Sequence, residues 1–266
     1  MMDTNWRRQE LDTPLFEDLL WSRPEQKSLA GKLLIVGGNS HAIAAPSEAY
    51  QIAQKQGVGE VRVALPDKTR KLLGPKVPVD IELVQSTLSG SFSAKAEREL
   101  QSFISWADAT LFAGDIGRNS ETAVVLESIA QKMPGLQIYT RDAVDYFYSH
   151  PVTLLDRENT LLVVSIAQLQ KLCTTAKFET PITFSMGLVA LCEALTRLTS
   201  HYKAYICVLD GSTIVTAVAG HCISTKLPSE PTEWRLKTAS AASVWWLQNP
   251  SRPLESIATA ITQLNW

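Results

Sequence analysis

No apolar run in this chain reaches the ~18–20 residues that a membrane-crossing helix needs. The N-terminal stretch MMDTNWRRQELDTPLFEDLL holds nothing like the apolar core of a signal peptide. A cytoplasmic protein without a membrane partner is expected. Cysteine is scarce: Cys173, Cys192, Cys207 and Cys222 include no CxxC pair, so they read as thiols packed in a core. His41, His150, His201 and His221 lack ligand spacing, and no metal site is expected. The net charge of −2 leaves no electrostatic footprint for nucleic acid or an anionic membrane. The basic run Lys68–Lys71 reads as a solvated helix face. GxGxxG, a Gly-Lys-Ser/Thr phosphate loop, GxSxG and HExxH are all missing, which removes the usual signatures of dinucleotide, phosphate-loop, hydrolase and zinc chemistry.

What the chain does have is ample apolar material and a regular alternation. Its 266 residues are 45% hydrophobic and 20% charged, enough for a sizeable core. Residues 1–30, with Pro14, Pro24 and the anchors Leu15, Phe16 and Leu19–Trp21, read as a capping segment. Residues 31–266 read as one α/β domain. Strands are expected at 32–37, 60–65, 80–84, 109–113, 136–139 and 160–164. Helices are expected at 45–56, 93–106, 119–132, 142–148 and 166–175. Such alternation argues for a mostly parallel sheet with helices on both faces, a three-layer α/β fold. A long helix over 182–200 follows, then two apolar runs around Asp210-Gly211, a strong hairpin signal. Residues 219–231 read as a loop because of Pro228 and Pro231. Helices at about 233–248 and 253–264 end the chain, and the tryptophans Trp245, Trp246 and Trp266 fit a core or an interface between copies.

Open parallel sheets take ligands at the carboxyl ends of their strands. The polar residues expected there are Asn39, Ser40 and His41 after the first strand, Asp115, Arg118 and Asn119 after the 109–113 strand, and Arg141 and Asp142 after the next. Asp210 and Ser212 belong to the hairpin. Gly37-Gly38 and the following helix start suit either a tight turn or an anion site. Asp115, Asn119 and Asp142 are equally suited to capping helices.

Several of these segments fall in a familiar order. Gly37-Gly38-Asn39, Ala44-Ala45-Pro46 and Gly57-Val58-Gly59 sit at the spacing of the opening unit of the ribokinase-like, ATP/ADP-dependent NAD(P)H-hydrate dehydratases. Ala113–Gly117 resembles that family's GPGLG loop, Thr140–Val144 its Asp-Ala-Asp-Ala-Leu element, and Leu209-Asp210-Gly211 its Leu-Lys-Gly hairpin. The resemblance covers most of residues 27–250. It implies a ribokinase-like fold, ATP or ADP and NAD(P)H as ligands, and oligomerisation. A substrate crevice lined by Asn39, Ser40, Ala45, Asp115, Arg118 and Asp142 is expected because all lie just past strand ends, and the resemblance implies nucleotide contacts at Gly211 and Ser212.

The same resemblance breaks where the family keeps its chemistry. Its Thr-Pro-His-Pro-Gly-Glu segment is here Val163–Gln168, VVSIAQ. Its Gly-Ser/Thr-Gly-Asp helix start finds its nearest register at Ser240-Ala241-Ala242-Ser243, and its hairpin lysine is Asp210. The expectation is a diverged member with impaired catalysis and weak ATP or ADP binding. The alternatives are an enzyme, either a dehydratase or a small-molecule kinase, that uses Asp115 or Asp142 as base, and an oligomeric structural protein.

Overall fold

The computed structural model describes residues 5–73 and 78–266. The chain begins with β1 (Trp6–Gln9), α1 (Asp18–Trp21), β2 (Lys32–Gly37), α2 (Ala44–Lys55), β3 (Glu60–Pro66), α3 (Arg70–Leu73) and β4 (Ile81–Val84). It continues with α4 (Glu97–Trp106), β5 (Ala109–Gly114), α5 (Ser120–Lys132), β6 (Leu136–Thr140), α6 (Asp142–Asp145), α7 (Val152–Leu155), β7 (Thr160–Val163) and α8 (Ile166–Thr175). The last elements are α9 (Leu188–His201), β8 (Tyr205–Asp210), β9 (Thr213–Val218), β10 (His221–Lys226), α10 (Trp234–Gln248) and α11 (Pro253–Thr262).

All the strands join one sheet in the order β1-β10-β9-β8-β7-β6-β5-β2-β3-β4. From β4 to β8 the pairs are parallel; β9 runs against both its neighbours, and β1 lies parallel to β10. This is the three-layer, mostly parallel α/β sheet that the alternation predicts. Side chains of a strand alternate between faces, and here both faces are covered. Leu34, Val36, Phe112 and Tyr139 pack under α4, α5, α8 and α9, where they meet Leu100, Leu126, Leu169 and Leu195. Leu33, Ile35, Leu111 and Ile138 pack on the other side with Ala49 and Ala53 of α2 and Trp245, Trp246 and Ile257 of α10 and α11. Burial on both faces is why β2 and β5 read as continuous apolar runs.

The loop expected at 219–231 is a correction: His221–Lys226 forms β10. Ala219 and Gly220, both at positive φ, make the tight reversal that lets this segment pair back onto β9. Its polar residues hide the strand from an apolar reading, yet Ser224 and Thr225 are buried because β1 pairs with them. Trp6 donates through Nε1 to Ser224 Oγ at 3.0 Å, and Gln9 donates through Nε2 to Thr225 Oγ1 at 3.1 Å. Part of the N-terminal capping segment thus continues the sheet. The helix expected from residue 182 starts at Leu188, and the one expected from 93 starts at Glu97 after a single 3-10 turn.

Trp245 and Trp246 are buried in the chain's own core and are no interface residues. All the cysteines are free and buried; burial pushes the Cys173, Cys192 and Cys207 thiols up to about 12 and Cys222 up to about 11. Such thiols remain protonated and inert at neutral pH. Among the described residues, no helix is long and apolar enough to cross a membrane.

Candidate functional site at the sheet switch point

β2 pairs with β3 on one side and β5 on the other. The chain runs outward from β2 to β4, returns to β5, and then builds the other half of the sheet. The loops that leave the carboxyl ends of β2 and β5 therefore lead to helices on opposite faces of the sheet, the place where open parallel sheets take their ligands. The two strands touch there: Gly38 N–H donates to the Gly114 carbonyl at 3.0 Å, and a Cβ on Gly37 would lie 2.6 Å from that oxygen. Only glycine permits this approach.

Asp115 follows directly, at φ +57, a left-handed conformation that costs a residue with a Cβ about 1–2 kcal/mol. The turn aims its carboxylate across the crevice. Oδ2 accepts the Ala45 N–H at 2.8 Å, and Oδ1 pairs with Arg141 Nη2 at 3.1 Å. Ala45 is the second residue of α2, a helix whose own N-cap, Ile43, offers no side-chain bond. Asp115 thus caps a helix 70 residues upstream and neutralises its positive end. Its side chain is only 13% exposed.

Asn39 donates through Nδ2 to the Asp115 carbonyl at 2.6 Å, locking the two loops together. Ser40 lies just behind, its Oγ donating to the Ser89 carbonyl at 3.1 Å. Asp142, the first residue of α6, accepts the Gly117 N–H on Oδ2 at 3.0 Å. Its other oxygen is shut off from solvent and has no hydrogen-bond partner among the described residues. Burial, then the nearby Asp115 charge, push the Asp142 carboxyl above its usual value against the pull of the Gly117 and Ile116 amides and of Arg141. Asn39, Ser40, Ala45, Asp115 and Asp142 thus lie together at the carboxyl edge of the sheet. Arg118 is exposed and makes no such contact. Asn119 caps α5, accepting from Glu121 and Thr122 N–H at 2.9 and 3.3 Å.

A second set of groups lies along the same edge. Arg141 is held at φ +55, and its carbonyl accepts from Gln168 Nε2 at 2.8 Å. Gln168 also donates to Asp145 Oδ1 at 2.7 Å and accepts from Arg235 Nη1 at 2.8 Å. Gln168 thereby ties α6, α8 and the start of α10 together, a role hidden in sequence because its capping of α8 is purely local. Arg235, which the sequence reading passed over, sits in the first turn of α10; burial and then the Arg141 charge lower its pKa.

Ser240–Ser243 do not open a helix. They lie buried inside α10, where Ser240 and Ser243 Oγ each donate to the carbonyl four residues back at 2.7 Å. Ala241 and Ala242 face the core, so their methyl groups block no ligand. At the hairpin, Gly211 (φ +55) and Ser212 form the two-residue turn, and an added Cβ on Gly211 would meet nothing within 4 Å. Lys226 donates through Nζ to Ser212 Oγ at 2.6 Å, so this edge has a cation despite Asp210. Three strand spacings separate β5 from β8, placing the hairpin roughly 14 Å from Asp115 along the edge. No carboxylate stands in the first turn of α10. The Gly-Ser/Thr-Gly-Asp start of the dehydratase pattern is absent from α10; the acid at its opening is the N-cap Glu233, which makes no side-chain hydrogen bond to the helix. Among the described residues, no group of three or more His, Cys, Asp or Glu side chains could hold a metal ion.

No family model matches the chain, and a search of the curated proteins gives no match. Solved structures do resemble it. A ribokinase-like superfamily protein from Enterococcus faecalis V583 superposes with a TM-score of 0.72 at 17% identity, over 98% of this chain and 87% of that one. The chain has a ribokinase-like fold. An ADP/ATP-dependent NAD(P)H-hydrate dehydratase from Bacillus subtilis, co-crystallized with ATP/Mg2+, follows at TM-score 0.65 and 12% identity, covering 93% of this chain and 86% of that one. The Bacillus subtilis pyridoxal kinase, as its ADP complex, gives 0.56 and 12% over 87% of this chain and 88% of that one. Identities this low speak for shared architecture alone.

Proposed function

We propose that this chain is a diverged NAD(P)H-hydrate dehydratase-like protein whose catalysis is impaired. The observation that carries the reading is the internal pairing of the crevice. Asp115 stands where the family pattern has glycine, and its carboxylate is spent on α2 and Arg141. Gln168 and Arg235, which replace or border the family's catalytic segments, bond each other. Groups that would serve a substrate serve their neighbours. A small-molecule or nucleotide ligand is read as bound weakly. That expectation rests on the filled crevice and no longer on Ala241 and Ala242.

Incubation of the full chain with hydrated NADH and ATP or ADP tests the reading. Turnover far below 1 s⁻¹ is expected; a rate on the order of 1 s⁻¹ or more, ordinary for enzymes, overturns it. A thermal-shift panel of ATP, ADP, AMP, NADH and NADPH reports on binding apart from turnover. A ligand at ~100 times its dissociation constant adds about 2.7 kcal/mol, a visible shift.

One observation favours a second reading, an enzyme with relocated chemistry. The Asp142 oxygen without a partner and its raised pKa are the marks of a general acid or base poised for a proton. In that case Asp142→Asn abolishes any detectable turnover while leaving the fold intact; unchanged turnover ends this reading.

A further inference from the structure

The basic run Lys68–Lys71 reads in sequence as a solvated face, but the fold divides it. Lys68 and Arg70 line an open pocket of about 630 Å³ at the carboxyl ends of β3 and β4, and Lys71 does not. Lys95 joins them from the 3-10 turn that leads into α4. The turn Asp67–Thr69, which carries Lys68, is pinned from behind, because Thr69 Oγ1 donates to the Pro66 carbonyl at 2.7 Å. Lys68 Nζ donates to the carbonyl of Leu88, another lining residue, at 2.6 Å. Three cations thus share one space, and among the described residues none of them forms an ion pair. The two carboxylates on the same pocket are already engaged. Asp67 accepts from Ser86 Oγ, and Glu121 Oε2 accepts the Ala94 N–H at 3.1 Å.

A second observation comes from Ser93, which lines the same pocket and is only 5% exposed. It stands at the N-cap of the 3-10 turn, yet its side chain makes no capping bond. Its N–H donates to the Gln85 carbonyl at 3.1 Å, and its own carbonyl accepts the Ala96 N–H at 3.0 Å. The hydroxyl is left over: Oγ has no hydrogen-bond partner among the described residues. Buried hydroxyls are ordinarily paired. No hydrogen bond fixes the rotation of this one about χ1.

We propose that this pocket binds the phosphate group of a small phosphorylated metabolite, held by Lys68, Arg70 and Lys95 and by the hydroxyl of Ser93. The chemistry selects that group. A guanidinium grips two phosphate oxygens as a fork, and ammonium groups attract the dianion as point charges. A phosphate oxygen is also an acceptor for the hydroxyl that the protein leaves unpaired. The pocket is larger than a phosphate and within the range of small-molecule sites, so it has space for an organic body. The site is built on the β3 and β4 loops and needs nothing from those that carry Asp115 and Asp142.

The test uses the full chain at constant ionic strength and follows the backbone amide resonances of Ser93 and Lys95. Inorganic phosphate and phenyl phosphate are the probes. Saturable shifts are expected, with a midpoint on the order of 1 mM for inorganic phosphate. Lys68→Met/Arg70→Met is expected to raise that midpoint by about tenfold or more. Both side chains are exposed, and Lys95→Met serves in their place if the double variant does not fold. Ser93→Ala is expected to raise the midpoint about threefold with no loss of stability in urea, since the hydroxyl bonds nothing in the free protein. Phenyl phosphate is expected to bind more tightly than inorganic phosphate, because the ester's body fills the remaining space. Amides that do not move, or that move without saturating, overturn the proposal. So does a lysine and arginine variant that binds as tightly as the wild type. An unchanged midpoint in Ser93→Ala would reduce the site to a basic surface and overturns it too. Binding of inorganic phosphate alone, with no response to the ester, overturns the assignment to a metabolite.

Discussion

α2 and α10 both open onto the carboxyl edge of the sheet, and the chain treats their positive ends in opposite ways. At α2 an acid arrives from the β5 loop and caps the second N–H. At α10 the N-cap Glu233 makes no side-chain bond, the first turn holds no acid, and Arg235 stands there beside the charge of Arg141. A carboxylate near a helix N-terminus stabilises it, and a cation there does the reverse, each by about 0.3–1 kcal/mol where exposed. One end is closed by an acid bonded to a helix N–H; at the other the N-cap glutamate bonds none, and the first turn is tied by the neutral bridge of Gln168. The contrast shows that the filled crevice is a local device at the switch point. It is no general feature of this edge.

The two helices are also coupled at their far ends, and severing that coupling is the strongest way to break the comparison. Trp245 donates through Nε1 to Oε1 of Gln56, the residue that ends α2, at 2.7 Å, and it is buried in the core. Trp245→Ala is expected to cost about 3–5 kcal/mol in urea unfolding, since it leaves both a cavity and an unpaired amide. A loss below about 1 kcal/mol would show that α2 and α10 are positioned independently.

A subtler comparison sets two variants of Asp115 side by side. Asp115→Ala loses the cap and keeps the left-handed strain, so it is expected to destabilise by about 1–2 kcal/mol. Asp115→Gly loses the same cap but relaxes the backbone. It is expected to be the more stable of the two by about 1 kcal/mol. Equal stabilities in urea titrations would show that the φ of +57 stores no strain.

The smallest expected effect is a dependence on pH. The Asp142 carboxyl is raised in the folded chain above its ordinary 3.8. Between these values the folded state holds more protons than the unfolded one, so stability falls as pH rises through the folded pKa. Below pH 3.8 both states are protonated and the penalty is absent. Asp142→Asn is therefore expected to gain stability over the wild type near neutral pH and to lose that advantage in acid. Asp115→Asn removes the second largest raising influence and is expected to lower the Asp142 pKa, read by carboxyl NMR titration. A pKa that stays in place would mean that burial alone sets it.

The strands β2, β3, β5, β6 and β7 were legible because each is a short apolar run punctuated by turn residues, and α8 matched its expected bounds at residues 166–175. β10 was not, since its Cys222, Ser224 and Thr225 are buried only because β1 arrives to pair with them. Strand ends alone point to the candidate site residues, and the structure brings Asn39, Ser40, Ala45, Asp115 and Asp142 together while leaving Arg118 exposed outside them. Asp115 looked like a local cap. Its actual partner is Ala45, on a helix in another part of the chain.

Local patterning by itself determined the alternation of strands and helices, the parallel sheet and the set of loops at its carboxyl edge, because period and turn chemistry act over a few residues. Tertiary structure alone decided that Ser240–Ser243 are core, that Lys226 reaches the hairpin, and that Arg141 and Ala45 hold the Asp115 carboxylate. These are pairings between segments distant in sequence. They exist because the topology puts β2 beside β5, which no local pattern encodes.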